Sequence, residues 1–205
     1  MAKYTLSYFN FRARAELARL LFAMAEVDYE DDRVRPEEWL ARKPDTPFGQ
    51  LPVLAVDGEQ ICQSNSIARY LARQFGFTGK SPLEEARADM IVECVDDMLY
   101  PIMPAYREKC DQKRAEMRRS YNDELPVFME LMEKLLSMNN DGEEYFVGDE
   151  VTWADLSVMN AWHWIPGFGV SVPIEKYPKL KAHKDRIEAI PQIAHWIETR
   201  PKTPV

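Results

Sequence analysis

The sequence is poor in the residues that build disulfide scaffolds and metal sites. Its three cysteines, Cys62, Cys94 and Cys110, are widely spaced and odd in number, so neither a disulfide framework nor a C-x-x-C site is indicated. Reduced thiols in a cytosolic protein are expected. Its three histidines, His163, His183 and His195, neither cluster nor pair with cysteines at ligand spacing, so zinc is not indicated and all three are read as structural. An excess of positive charge is lacking too. Acidic residues outnumber basic ones by 34 to 26, for a net charge of −8 and a pI near 5.0, which argues against nucleic acid or an anionic membrane as the main partner. No apolar run approaches the roughly 20 residues that span a bilayer. The opening Met1-Ala2-Lys3-Tyr4-Thr5-Leu6 is strand-like, not a basic-then-apolar leader, so neither export nor membrane insertion is expected. No internal repeat or low-complexity segment is found.

What remains is an ordinary globular composition, 46% hydrophobic and 29% charged over 205 residues, long enough for one large core or two modest ones. The chain is organised around residues 48–68. An apolar strand follows Leu51-Pro52, a tight turn falls at Asp57-Gly58, a second strand ends near Cys62, and Ser64-Asn65-Ser66 opens a helix carrying Ile67, Tyr70 and Leu71. Pro52 removes one ladder donor and leaves the preceding backbone groups facing outward, where an extended peptide can pair with them. The helix start near Ser64 and Asn65 offers N–H groups and partial positive charge to a carboxylate. Taken alone, each feature is only an edge strand or a helix cap. Together they offer a peptide-like ligand a backbone clamp and an anion seat.

Before this stretch, Tyr4, Leu6 and Tyr8 alternate with Thr5 and Ser7 as in a half-buried strand. Leu17, Leu20, Leu21 and Met24 then recur at helical spacing, with Arg14, Glu16 and Arg19 on other faces. Asp28 to Val34 reads as a weaker strand, Pro36 to Trp39 as a proline-led helical turn, and Lys43 to Gly49 as a loop. The order β-α-β-loop-β-β-α is that of an α/β thioredoxin-like layer, residues 1–79. Residues 83–205 carry no strand pattern and read as an all-α helical domain. There, a helix through Ile91 to Ile102 is expected to bend near Pro101 and Pro104, and a second helix carries Pro126. Asn139 to Gly142 and Trp162 to Val172 read as loops. Thr152 and Asp155 form a capping box, and helices are expected over Tyr177 to Ile190 and Gln192 to Thr199.

Tyr8, at the end of the first strand, can carry chemistry. Its phenol can donate a hydrogen bond to a thiolate and so lower a thiol pKa from its reference of about 8.5. A buried tyrosine satisfied by backbone is the plainer alternative.

Over nearly its whole length the chain resembles the sigma-class glutathione transferases, and in particular the glutathione-dependent prostaglandin D synthases and their invertebrate relatives. The resemblance is carried by Tyr8-Phe9-Asn10, Arg14-Ala15-Glu16, Trp39, Lys43, Pro47-Phe48-Gly49, Pro52, Gln63-Ser64, residues 67–71, Asp96-Asp97, residues 151–155, Ala189-Ile190-Pro191, Trp196 and Arg200-Pro201. It implies a cytosolic homodimer with glutathione as co-substrate and a small apolar electrophile as second substrate. By the same resemblance Tyr8 activates the thiol and Arg14 adds positive potential beside it. Trp39 and Lys43 hold the glycyl carboxylate, Leu51 pairs its backbone with the cysteinyl part beside Gln50, and Pro52 is cis. Gln63 and Ser64 take the γ-glutamyl end, and Asp97 of the partner subunit faces its ammonium. The electrophile pocket would be lined by Phe9, Phe11, Ala13, Arg14, Met103, Pro104, Ser157, Ala161 and the tail near Val205. Glu93, Asp96 and Asp97 match an acidic set that binds a divalent cation in the prostaglandin-converting subgroup; three acids on one helix are more often a solvated face, and a metal is not expected to be required.

The chain departs from the prostaglandin-converting members in that pocket. It lacks their tryptophan near Met103-Pro104 and their aromatic side chain near Ser157, and Ala13 replaces a usual glycine. Conjugation of small electrophiles and reduction of lipid hydroperoxides are therefore the expected reactions, ahead of prostaglandin isomerisation. A lens S-crystallin-like structural role and a noncatalytic glutathione-binding role are the remaining alternatives.

Overall fold

The computed structural model describes residues 2–203, which divide into two compact units: residues 2–76 with 191–203, and Phe77–Ile190. In the first unit, strand β1 (Tyr4–Phe9) buries Tyr4, Leu6 and Tyr8 and turns Thr5, Ser7 and Phe9 outward, the period-two pattern of its sequence. A 3-10 turn (Ala13–Ala15) leads into helix α1 (Glu16–Ala25), then β2 (Glu30–Val34), α2 (Pro36–Arg42), a second 3-10 turn (Lys43–Asp45), β3 (Val53–Val56), β4 (Glu59–Cys62) and α3 (Ser64–Phe75). The sheet order is β2-β1-β3-β4, with β1 parallel to β2 and antiparallel to β3. Asp57 and Gly58 join β3 to β4 with φ of 50° and 94°, the left-handed pair that a two-residue hairpin of matching twist requires.

The second unit is all helical: α4 (Pro82–Leu99), α5 (Met103–Arg107), α6 (Asp111–Ser137), α7 (Trp153–Trp164) and α8 (Pro178–Glu188). Every residue of α7 except His163 is buried. Its N-terminus is held by Asp155, whose Oδ2 accepts the Thr152 N–H and hydroxyl at 2.8 and 2.9 Å and whose Oδ1 accepts the Phe146 N–H at 2.8 Å. This is the capping box read from the sequence, with one additional loop tied into it.

Three expectations change. The run ending at Ile102 is not one bent helix: α4 stops at Leu99, a 3-10 turn covers Tyr100–Ile102, and α5 begins at Met103, because Pro101 and Pro104 each lack the N–H that would continue the ladder. Trp162 to Trp164 form the last turn of α7, and Ile165–Phe168 are a 3-10 turn. Burial of Trp162, Trp164, Ile165 and Phe168 outweighs the local proline and glycine signals there. The last helix, α9 (Pro191–Thr199), had been expected among residues 83–205 of the helical domain; it packs on α1 in the first unit.

Candidate active site

The strand register gathers the site. Ser7 pairs with Val53, and Val53 with Cys62. One step further at the same end of the sheet lie Tyr8, Pro52 and Gln63. On the other side of β1, Tyr8 pairs with Arg33 and Phe9 with Val34, so α2 also starts at this end.

Each of these residues is locally fixed. The Leu51-Pro52 bond is cis, as the resemblance implied, and Pro52 is buried while Leu51 is half-buried and Gln50 exposed. Gln63 is exposed and precedes α3 with φ 71° and ψ 120°, a backbone conformation rare for a residue with a side chain and common at ligand clamps. Ser64 is the first residue of α3, where helix N–H groups are open to an anion. Tyr8 is 9% exposed, with its ring 5.9 Å from that of Phe9.

Trp39 and Lys43 are set by α2. Trp39 stands edge-on to Phe9, with ring centroids 5.7 Å apart. Arg42 pairs with Asp32 on β2, and Asp32 Oδ2 also accepts the Ser7 hydroxyl at 2.6 Å. The Arg42 hydrogen bond, against an opposing effect of burial and with help from Ser7, holds the Asp32 carboxyl below its ordinary range. This link pins the end of α2 to the sheet and leaves Lys43 exposed beside Gly49. Arg42 is thereby paired. Arg14 lies half-buried in the turn at Ala13–Ala15, Ala13 has φ 33°, and Phe11 is half-buried.

The remaining candidates lie in the second unit. Met103 and Pro104 start α5, half-buried and exposed respectively. Ser157 and Ala161 are interior residues of α7, 6% and 0% exposed. Glu93 and Asp97 are exposed on α4 and Asp96 is half-buried. Among the described residues no group of three His, Cys, Asp or Glu side chains could hold a metal ion, so the cation reading of Glu93, Asp96 and Asp97 gains no support. The tail near Val205 lies outside the described residues. The three cysteines are free thiols, and burial pushes the Cys62 and Cys94 thiols up from their ordinary value. No helix among the described residues is long and apolar enough to cross a membrane.

Periodicity left the burial of one group unread. Glu16 and Arg19, read as lying on other faces of α1 than its apolar residues, are both fully buried. Glu16 Oε1 accepts Trp196 Nε1 at 2.9 Å and Arg200 Nη1 at 3.0 Å, and Oε2 accepts Arg19 Nη1 at 3.3 Å. The available signal was the i,i+3 spacing of opposite charges, which by itself says nothing about burial.

A thioredoxin-like unit with a cis-proline clamp and a helix N-terminus at one end of its sheet, joined to an all-helical unit, is the architecture of the glutathione transferases. Residues 4–73 match the glutathione S-transferase N-terminal domain family, and residues 96–200 the glutathione S-transferase C-terminal domain family. The chain is 41% identical over 212 residues to glutathione S-transferase 1 of Ascaris suum and 42% identical over 205 residues to hematopoietic prostaglandin D synthase of Gallus gallus, each match covering 100% of both chains. The crystal structure of the glutathione S-transferase from Ascaris lumbricoides matches with a TM-score of 0.89 at 38% identity, covering 99% of this chain and 100% of that one. The chain belongs to the glutathione transferase family and is sigma-like, with glutathione as its co-substrate.

Proposed function

We propose that this protein activates the thiol of glutathione through Tyr8 and conjugates it to small electrophiles. The observation that carries this reading is the register, which brings Tyr8, cis Pro52 and Gln63 to one end of a single sheet. Glutathione lies along that end: Leu51 pairs with the cysteinyl backbone, Gln63 and Ser64 take the γ-glutamyl group, and Trp39 and Lys43 take the glycyl carboxylate beside Gln50. The Tyr8 hydroxyl donates to the sulfur and favours the thiolate, and Arg14 adds positive potential. The thiolate sulfur then bonds to an electrophilic carbon as the leaving group departs with its electron pair. Lipid hydroperoxides are a second acceptor class for the same thiolate. Phe9, Phe11 and Ala13, at the Tyr8 end of the first unit, contribute apolar contacts to the acceptor.

The protein acts as a homodimer in which Asp97 of the partner subunit faces the γ-glutamyl ammonium. Leu83 and Met90, seven residues apart and in line with Asp97 on α4, leave apolar surface exposed at 62% and 49%, which supports this helix as the dimer face.

The test is an ultraviolet titration of bound glutathione thiolate in the parent and in Tyr8→Phe, with turnover of an aromatic electrophile in parallel. The parent should lower the thiol pKa by about one unit or more, and Tyr8→Phe should lose both the shift and, by typical acid–base contributions, about a hundredfold in turnover. A bound thiol that titrates as in water would overturn the assignment and favour a binding or lens-type role.

A further inference from the structure

Next to the Tyr8 end of the sheet lies a cluster of charges, Glu16 and Arg19 fully buried and Asp31, Arg33 and Arg200 half-buried, that thiol activation by Tyr8 and Arg14 leaves unexplained. Arg19 is fully buried. Its Nε donates to Asp31 Oδ1 at 3.0 Å, and its Nη1 donates to the Phe11 carbonyl at 2.7 Å and to Glu16 Oε2 at 3.3 Å. Its guanidinium carbon stands 6.0 Å from the centroid of the Tyr8 ring. Arg33 takes the other Asp31 oxygen at 2.8 Å and donates to Asn10 Oδ1 at 2.8 Å. Trp196 and Arg200, contributed by α9 and the residue after it, close the set on the far side of Glu16.

Burying such charges is costly, and well-packed apolar side chains often serve stability as well. The arrangement has two properties an apolar cluster would lack. It gathers four guanidinium groups, those of Arg19, Arg33, Arg200 and, facing Glu16 and Arg200, Arg12, around the carboxylates of Glu16 and Asp31, with the Tyr29 phenol facing the same charges; positive charge is in excess, and Arg19 carries it to the Tyr8 ring. It also hydrogen-bonds the backbone at Phe11, within the segment that carries Ala13 and Arg14.

We propose that Arg19 is a positioning residue for thiol activation. Its buried charge makes the Tyr8 hydroxyl a stronger hydrogen-bond donor, its bond to the Phe11 carbonyl fixes the segment bearing Arg14, and Trp196 and Arg200 hold it in place through Glu16. A cation against an aromatic face draws on the electron density of the ring and polarises the phenolic O–H. A better donor stabilises the thiolate more than the thiol and lowers the thiol pKa further. The inference rests on the reading of Tyr8 as thiol activator.

Three variants test it: Arg19→Met removes the charge, Arg19→Lys restores it without the planar fork, and Arg200→Gln loosens Glu16 from outside the site. Circular dichroism establishes that each folds. The measurements are the pKa of bound glutathione thiol, the KM for glutathione, and turnover from pH 6 to 9. In Arg19→Met the thiol pKa should rise, turnover near pH 6.5 should fall by about threefold to thirtyfold, and the deficit should shrink as pH passes the raised pKa. The KM for glutathione should stay within about twofold. Arg19→Lys should recover part of the shift, and Arg200→Gln should show a smaller shift of the same sign. A merely structural role would lower turnover equally at every pH and leave the thiol pKa alone, and that result in folded Arg19→Met overturns the proposal. Should Arg19→Met not fold, Arg200→Gln decides, and a parental thiol pKa and pH profile there overturn it. Failure of the Tyr8 assignment is seen separately, in a parent protein that does not lower the thiol pKa, and it removes this inference as well.

Discussion

Gly49 leaves the Lys43 stem room: a Cβ added at Gly49 would stand 3.1 Å from Lys43 Cε, and Gly49 has φ +59°. The glycine is needed twice, for its left-handed backbone and to leave room for the Lys43 stem. Gly49→Ala should therefore displace Lys43 and cost about 1–2 kcal/mol in local strain. If Lys43 holds the glycyl carboxylate, the KM for glutathione rises by about threefold to tenfold while turnover at saturation changes little. Steady-state kinetics over a range of glutathione concentrations reads this directly; an unchanged KM would remove Lys43 from the carboxylate site.

Ala13 presents the opposite case, a residue with a side chain at φ 33°. An alanine-to-glycine change inside an ordinary element costs about 0.5–1 kcal/mol. Relief of left-handed strain, worth roughly 1–2 kcal/mol, offsets that here, so Ala13→Gly should leave stability unchanged or raise it by up to about 1 kcal/mol. Denaturant midpoints of the two proteins decide the point, and a loss of about 1 kcal/mol would show that the backbone at Ala13 carries no such strain.

Much of this site is legible in the sequence because its signals are local. Alternation of Tyr4, Leu6 and Tyr8, the Leu51-Pro52 pair and the Ser64 helix start each declare an element over a few residues, and short connections leave few ways to join them. The resemblance added roles for Trp39 and Lys43 that no local pattern carries. The burial of Glu16 and Arg19 was hidden because their partners are remote in the chain: Asp31 is 12 residues from Arg19 and Arg200 is 184 from Glu16. Periodicity sorts charged residues outward by default, and only tertiary packing shows where a charge is matched inside. The last turn of α7 was missed for a related reason. Pro166, Gly167 and Gly169 read as a loop, while the aromatic residues around them are in fact interior.

Asp155 is the single acceptor for several buried groups at the start of α7: the N–H of Phe146, the N–H and hydroxyl of Thr152, and His183 Nε2 at 2.8 Å. Asp155→Ala leaves all of these donors without a partner in a place water does not reach. The expected loss is about 3–5 kcal/mol, a fall in melting temperature of roughly 8–15 °C for a chain of this size. The thiol pKa of bound glutathione in the protein that remains folded should match the parent. A variant as stable as the parent would show that the interior at Asp155 rearranges to supply other acceptors.

Glu188 sets an acid limit on stability of the helical unit. Burial opposes its ionisation, but hydrogen bonds from His163 Nε2, at 2.5 Å, and from Lys184, at 2.8 Å, together with their charges, outweigh it and hold the carboxyl at about 2 against an ordinary value of 4.5. Its side chain is 24% exposed, so screening by solvent is limited. Because the folded-state value is the lower one, the unfolded chain binds the proton more readily. The stabilisation is then complete above about pH 4.5 and drains away as pH falls from there toward about 2. The amount at stake is about 2–3 kcal/mol. Glu188→Gln should thus be less stable than the parent at pH 6 and should close most of that gap by pH 3, since the parent alone pays the protonation cost. Urea unfolding of both proteins at pH 6, 4.5 and 3 measures the difference, and a gap independent of pH would mean that Glu188 contributes through packing of its side chain and not through its charge.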